Sequence, residues 1–238
     1  MRIRLRTCIK AWIWRVTTEP AGVSLALLSN VKALRNPTLW RILRAVAFCV
    51  ALLPFVYLLQ GAVLNTLGAD PGRELALETG RWALRLLLMS LAITPLRELT
   101  GLAGLFPLRR TLGLFALFYA VLHFLIYNVF LLELRWSEIG SDILERPYIT
   151  VGFVALLILV AMGVTSTRAM VRRLGRQWKR LHQLVYLASA LGVLHLLWIL
   201  RTDLFDAVLY GTILGLLLGY RLVTRLKRRI RLGRARAA

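Results

Sequence analysis

Six apolar runs dominate the chain, near Ile42–Gln60, Trp82–Leu96, Leu112–Leu132, Tyr148–Ser166, Leu184–Leu200 and Asp206–Val223. Crossing about 30 Å of hydrocarbon takes roughly 20 helical residues at about 1.5 Å each. Each run is read as a span, although Arg81 and Arg85 at the start of the second need tilt or neighbouring helices to cover them. Lipid leaves no unpaired backbone group satisfied, and the alternating polarity of barrel strands is absent, so the spans are helices. A net charge of +21 over 238 residues fits this reading only because 58% of the residues are hydrophobic. A soluble nucleic-acid binder of that charge would have a far more polar remainder, and no basic surface with an aromatic platform is evident.

The connections between the runs set a direction. Residues 1–41 carry eight Lys/Arg and one acid. Loop 61–80 sets Asp70, Glu74 and Glu78 against Arg73, whereas loop 97–111 sets Arg97, Arg109 and Arg110 against Glu98. Loop 133–147 has four acids and two arginines, and loop 167–181 has six bases and no acid. The turn 201–206 is net acidic, and the tail from Arg221 carries eight bases. Basic and acidic connections alternate throughout, so the positive-inside rule places both termini in the cytoplasm. The expected fold is an all-α, multi-pass membrane protein, a six-transmembrane-helix bundle. Most of the positive charge is then topology signal and contact with anionic membrane lipid.

Local grammar adds detail. Pro147 suits the first position of the fourth span. Asp70-Pro71-Gly72 reads as a turn, with Asp70 capping a short interfacial helix that contains Glu74. Pro54 is expected to kink the first span. Gly211, Gly215 and Gly219 recur every four residues on the last span and read as a close-packing face. Cys8 and Cys49 do not look like halves of a structural bridge.

The chain has three histidines, and all fall on or beside two spans: His123 on the third, His182 and His195 on the fifth. Ionisable groups within a span are costly and face the bundle interior. No Asp or Glu lies at comparable depth to build a proton relay. His182 and His195 are roughly 20 Å apart along a helix, too far to share a zinc ion. A haem wants one neutral imidazole from each of two helices at matching depth, and His123 with His195 meets that demand near the outer side. His182 has no histidine opposite it. Arg109, fourteen residues before His123, occupies that inner position and suits a haem propionate or headgroup phosphates. An ideal helix sets His182 and His195 roughly 140° apart, so either the fifth helix is distorted or two stacked haems are not served simply. Trp178, Tyr186 and Trp198 read as interface anchors, and Met89 and Met162 as apolar lining.

The stretch from Thr165 through Arg168, Arg172-Arg173, Gly175, Trp178 and His182 to Leu187 resembles the MsrQ family, haem-binding membrane subunits of bacterial methionine-sulfoxide reductase systems. So do Leu67-Gly-Ala-Asp-Pro71, Thr79-Gly-Arg81, Ile93-Thr-Pro95, Arg109-Arg-Thr-Leu-Gly113 and Arg146-Pro-Tyr148. The resemblance implies a ferric-reductase-like six-helix core with haem b, linked to His123, His182 and His195, with Arg109 where the wider group has a second inner histidine. It implies electron transfer from the quinone pool or a cytosolic flavin reductase to a periplasmic, molybdopterin-containing MsrP-type subunit that reduces methionine sulfoxide. FMN is also implied, with no motif here to place it. Residues 1–38 then form a basic cytoplasmic extension outside the family match, 39–225 the haem-binding transmembrane domain, and 226–238 a basic cytoplasmic tail. No G-x-G-x-x-G follows a strand, so electrons must come from elsewhere and leave to a partner. A stand-alone transmembrane ferric-chelate reductase is the competing redox reading, and a haem-free scaffold or transporter the non-redox one.

Overall fold

The computed structural model describes residues 37–200 and 204–237. The chain divides into two units, 1–43 and 44–238. The expected N-terminal extension over residues 1–38 lies outside the described residues except for its last two, and Cys8 with it. Every regular element among the described residues is helical: α1 Pro37–Val63, α2 Pro71–Thr100, α3 Phe106–Ile126, α4 Trp136–Glu145, α5 Pro147–Val164, α6 Arg168–Leu174, α7 Arg176–His182, α8 Val185–Ile199 and α9 Phe205–Ala237. A 3₁₀ turn, Ala103–Leu105, leads into α3, and a π turn, Tyr127–Leu131, extends it.

Five helical segments are long and apolar enough to cross a membrane: Thr38–Val63, Phe106–Leu131, Pro147–Val164, Arg176–Ile199 and Phe205–Lys227. The expected span Trp82–Leu96 is not among them. It lies within α2, whose Arg81, Arg85, Arg97 and Glu98 dilute its apolar stretch. Burial supplies the reason. Twelve residues of α2 are buried, against three or four on each of α3, α5 and α8. A helix wrapped by other helices has no lipid-facing side to keep apolar. Its Arg81 pairs with Glu78 at 2.7 Å and with Asp206 of α9 at 2.8 Å, and Arg85 donates to the Tyr210 hydroxyl at 2.7 Å. The outer helices show the converse pattern, with Leu53 61%, Leu157 51% and Leu216 70% exposed.

The caps explain another departure. Asp70 does cap a helix, accepting the Arg73 N–H at 3.0 Å. That helix is α2 itself rather than a short interfacial one, because only Thr79 and Gly80 interrupt the good helix formers between Arg73 and Trp82. It runs to Gly101, whose φ of 72° closes it with an N–H to the Arg97 carbonyl.

Both internal prolines are serviced by a side chain from another helix. Around Pro54 the Tyr119 hydroxyl enters the α1 ladder, accepting from the Phe55 N–H at 2.9 Å and donating to the Ala51 carbonyl at 2.8 Å. At the proline where a kink is expected, the ladder is opened by a side chain that is fully buried. Pro95 removes the N–H that would meet the Leu91 carbonyl. Arg221 of α9 donates to that carbonyl instead, at 2.7 Å.

Cross-helix contacts fix the directions. His123 late in α3 meets Ala76 early in α2, and Ser90 late in α2 meets Arg109 early in α3, so the two run antiparallel. α5 and α8 are likewise antiparallel, with His195 against Tyr148. The bundle thus has an acidic end, where α2 and α5 begin, and a basic end, where α3 and α7 begin. Of the expected glycine face on α9, only Gly211 packs closely, 3.6 Å from Val193 for an added Cβ. Gly215 and Gly219 have nothing within 4 Å, so a close-packing face is not what they form.

Candidate functional site

Near the acidic end, α2, α3, α5 and α8 enclose a cavity of about 650 Å³. His123 and His195 face each other across it, ring centroids 6.1 Å apart and planes 83° apart. Each ring is fixed by the same device. The Nδ1 of His123 lies 2.7 Å from the Ala76 carbonyl, and the Nδ1 of His195 lies 2.6 Å from the Tyr148 carbonyl. A carbonyl can only accept, so Nδ1 carries the proton in both rings and Nε2 keeps its lone pair. Four residues after each carbonyl stands a glycine, Gly80 and Gly152. One helical turn puts it directly beside the ring. A Cβ on Gly152 would sit 2.7 Å from two His195 ring atoms, and one on Gly80 would sit 3.2 Å from His123 Nδ1. The absence of a side chain is what lets each imidazole lie against the neighbouring helix.

The cavity changes character along its length. Its deep part is apolar, with Leu84, Leu87, Phe153, Leu156, Leu159 and Gly192 among its walls. Phe124 and Phe153 close one side with ring centroids 5.8 Å apart. Its mouth is charged, lined by Asp70, Arg73, Arg135, Glu138, Asp142 and Arg146. Arg146 pairs with Asp142 at 2.7 Å, Arg135 with Glu138 at 3.0 Å, and the Tyr127 hydroxyl donates to Asp142. Arg73 makes no ion pair with a carboxylate among the described residues. It lies on the same α2 stripe as Ala76 and Gly80, at the open end.

Two imidazole lone pairs cannot cage a bare metal ion. Among the described residues no three His, Cys, Asp or Glu side chains gather to do so. The pair suits a metal that brings its own equatorial ligands, as an iron porphyrin does. Two imidazoles on one metal, each bound at about 2.0 Å, place their centroids roughly 6.3 Å apart, close to the 6.1 Å observed. An apolar slot whose charged mouth includes an arginine without a carboxylate partner also fits a flat apolar macrocycle that carries carboxylates on one edge.

His182 is elsewhere. It ends α7, stacked on Trp178 with centroids 4.0 Å apart, and it does not line the cavity. The distortion considered for the fifth helix is present: the Gln183 and Leu184 N–H groups bond three residues back instead of four. Each 3₁₀ step turns about 20° more than an α step, so three or four such steps narrow the roughly 140° offset between His182 and His195 without abolishing it. Arg109 lies at the same basic end, close enough to act electrostatically on both His182 and Arg221. The structure therefore brings two of the four candidate residues into one site and the other two into a separate neighbourhood. Gly80, Gly152 and Arg73 were not singled out from the sequence. One signal was available: each glycine precedes its histidine by the same interval.

The segment 79–193 matches the ferric reductase like transmembrane component. It contains His123, Gly80 and Gly152 and ends two residues before His195. Among similar proteins, the heme-binding subunit MsrQ of protein-methionine-sulfoxide reductase from Xanthomonas campestris pv. campestris strain 8004 is 52% identical over 165 residues, 69% of this chain and 76% of its own. Its counterparts from Xanthomonas axonopodis pv. citri strain 306 and Xanthomonas oryzae pv. oryzae strain MAFF 311018 are 50% and 49% identical with the same coverage. Identity of this extent over three quarters of the relatives' length makes the chain a member of the MsrQ family.

Proposed function

We propose that the chain is the haem-binding, electron-transferring membrane subunit of a methionine-sulfoxide reductase system, with haem b held between His123 and His195. The observation that carries this reading is the facing imidazole pair, 6.1 Å between centroids, with both Nδ1 atoms tied to carbonyls. Haem supplies one-electron storage and transfer without needing an acid, base or nucleophile beside it. The protein's part is orientation and environment. Ala76 and Tyr148 fix the imidazole tautomers, Gly80 and Gly152 seat the rings, and the leucine walls exclude water. Arg73 and Arg146 at the mouth would hold the propionates.

In this reading α2 is the sixth span, its arginines shielded by α9, and both termini are cytoplasmic in a bacterial inner membrane. Residues 39–225 form the haem-binding domain, and the basic helix beyond 225 lies at the cytoplasmic surface against anionic lipid. Electrons arrive from the quinone pool or a cytosolic flavin reductase and leave from the acidic end to a periplasmic MsrP-type molybdenum subunit. His182 and Arg109 belong to the cytoplasmic side of this route, and FMN has no residues assigned to it.

The test is a reoxidation experiment. The reduced protein should lose its reduced b-type bands when the molybdenum subunit and a methionine-sulfoxide substrate are added together. Reoxidation by ferric chelates alone, with no response to the subunit and substrate, would favour the stand-alone ferric-chelate reductase.

A further inference from the structure

Along the mouth of the histidine cavity runs α4, joining the π turn that extends α3 to the start of α5. Arg135, Glu138, Asp142 and Arg146 line that mouth. Steps of three, four and four residues put them on one stripe of the helix and its two flanks. The charged side of α4 therefore faces the cavity, while Leu144 on another side is 81% exposed. Among the α4 residues whose side chains are described, the one that is buried is a carboxylate, Asp142. It accepts from Arg146 Nε at 2.7 Å and from the Tyr127 hydroxyl. The first of these bonds stays within α4 and its own flank. The second reaches across to α3, at the residue where the π turn begins.

The link into α4 is strained. Glu133 and Leu134 have φ of 50° and 59°, the left-handed region that side chains rarely enter. Such strain persists only where surrounding contacts impose it. Here the Leu134 N–H bonds the Asn128 carbonyl at 3.0 Å and the Arg135 N–H bonds the Leu132 carbonyl at 2.9 Å. At its far end α4 passes into Pro147, whose ring fixes φ. Freed from Tyr127, α4 can turn about the Glu133–Leu134 link and shed that strain. It gives up little apolar burial in doing so, because its anchor is a carboxylate.

We propose that α4 is a lid on the cavity and that the Tyr127–Asp142 hydrogen bond is its latch, opening to admit haem and closing to retain it. The proposal rests on the haem reading of the cavity. Ionised propionates do not cross apolar walls. The charged part of this cavity is its mouth, so haem enters there with its apolar edge leading, past α4.

The test follows haem transfer from the protein in nanodiscs to excess apomyoglobin. Tyr127→Phe, which deletes the hydroxyl and keeps the ring, should speed transfer at least tenfold, and Asp142→Ala should do the same. The reduced spectrum should be unchanged in both, since His123 and His195 are untouched. Leu144→Ser, on the exposed side of α4, should release haem at the wild-type rate. Amide hydrogen exchange of the haem-free protein reads the latch separately: residues 136–145 should exchange faster in Tyr127→Phe than in the wild type. A wild type that takes up no haem would end the haem reading and leave the latch to be judged by exchange. Wild-type transfer rates in both latch variants, equal acceleration in Leu144→Ser, or unchanged exchange over residues 136–145 would overturn the latch.

Discussion

At the scale of single residues, the histidine cavity rests on two absent side chains as much as on two imidazoles. Gly152→Ala places a Cβ within 2.7 Å of the His195 ring, whereas Gly80→Ala approaches His123 no closer than 3.2 Å. The expected result is graded. Gly152→Ala should lose most of the bound haem or its six-coordinate spectrum, while Gly80→Ala should keep the haem with a perturbed spectrum. Absorption spectra of the two purified variants check the order. The histidines themselves were legible in the sequence, because an ionisable residue in an apolar run has few other reasons to be there. The glycines were not, since each matters only to a ring that is far away in sequence. The missing Cβ has meaning only once the helices are packed.

Individual helices show how polar groups are kept satisfied away from water. The Tyr119 hydroxyl makes two hydrogen bonds to the α1 backbone at Pro54. Tyr119→Phe removes both bonds and leaves the Phe55 N–H and the Ala51 carbonyl, an i→i−4 pair, only each other, at a net cost of about 1–3 kcal/mol where the Pro54 ring keeps them apart. A lower unfolding midpoint in detergent is expected, with the haem spectrum unchanged. The sequence announced a disturbed ladder at Pro54 but not its remedy, because the hydroxyl comes from another helix. It also made α2 look like a short helix followed by a doubtful span. Arg81 and Arg85 called for tilt or a neighbouring helix to cover them, and α9 supplies their partners, Asp206 and Tyr210, which the sequence did not name. Arg81→Gln should therefore destabilise far more than Arg41→Gln, since it strands Asp206 in the bundle; comparative thermal unfolding reads the difference.

On the scale of the whole molecule, the alternation of loop charge was the most readable signal, and it is an argument about orientation that packing does not supply. With α2 as a span, single cysteines at Thr66 and at Ser141 should be labelled from the periplasm in a background lacking Cys8 and Cys49. Cysteines at Thr100 and Arg172 should be labelled only after permeabilisation. A periplasmic Thr100 would remove α2 from the membrane-crossing set.

The central claim is that one haem lies between His123 and His195. Oxidised and dithionite-reduced spectra of the wild type and of His123→Ala, His195→Ala and His182→Ala test it most directly. The account predicts sharp reduced α and Soret bands in the wild type, their collapse in His123→Ala and His195→Ala, and their survival in His182→Ala. Bands that survive the loss of His195 and vanish with His182, or haem-replete wild-type protein with no bands at all, would contradict it.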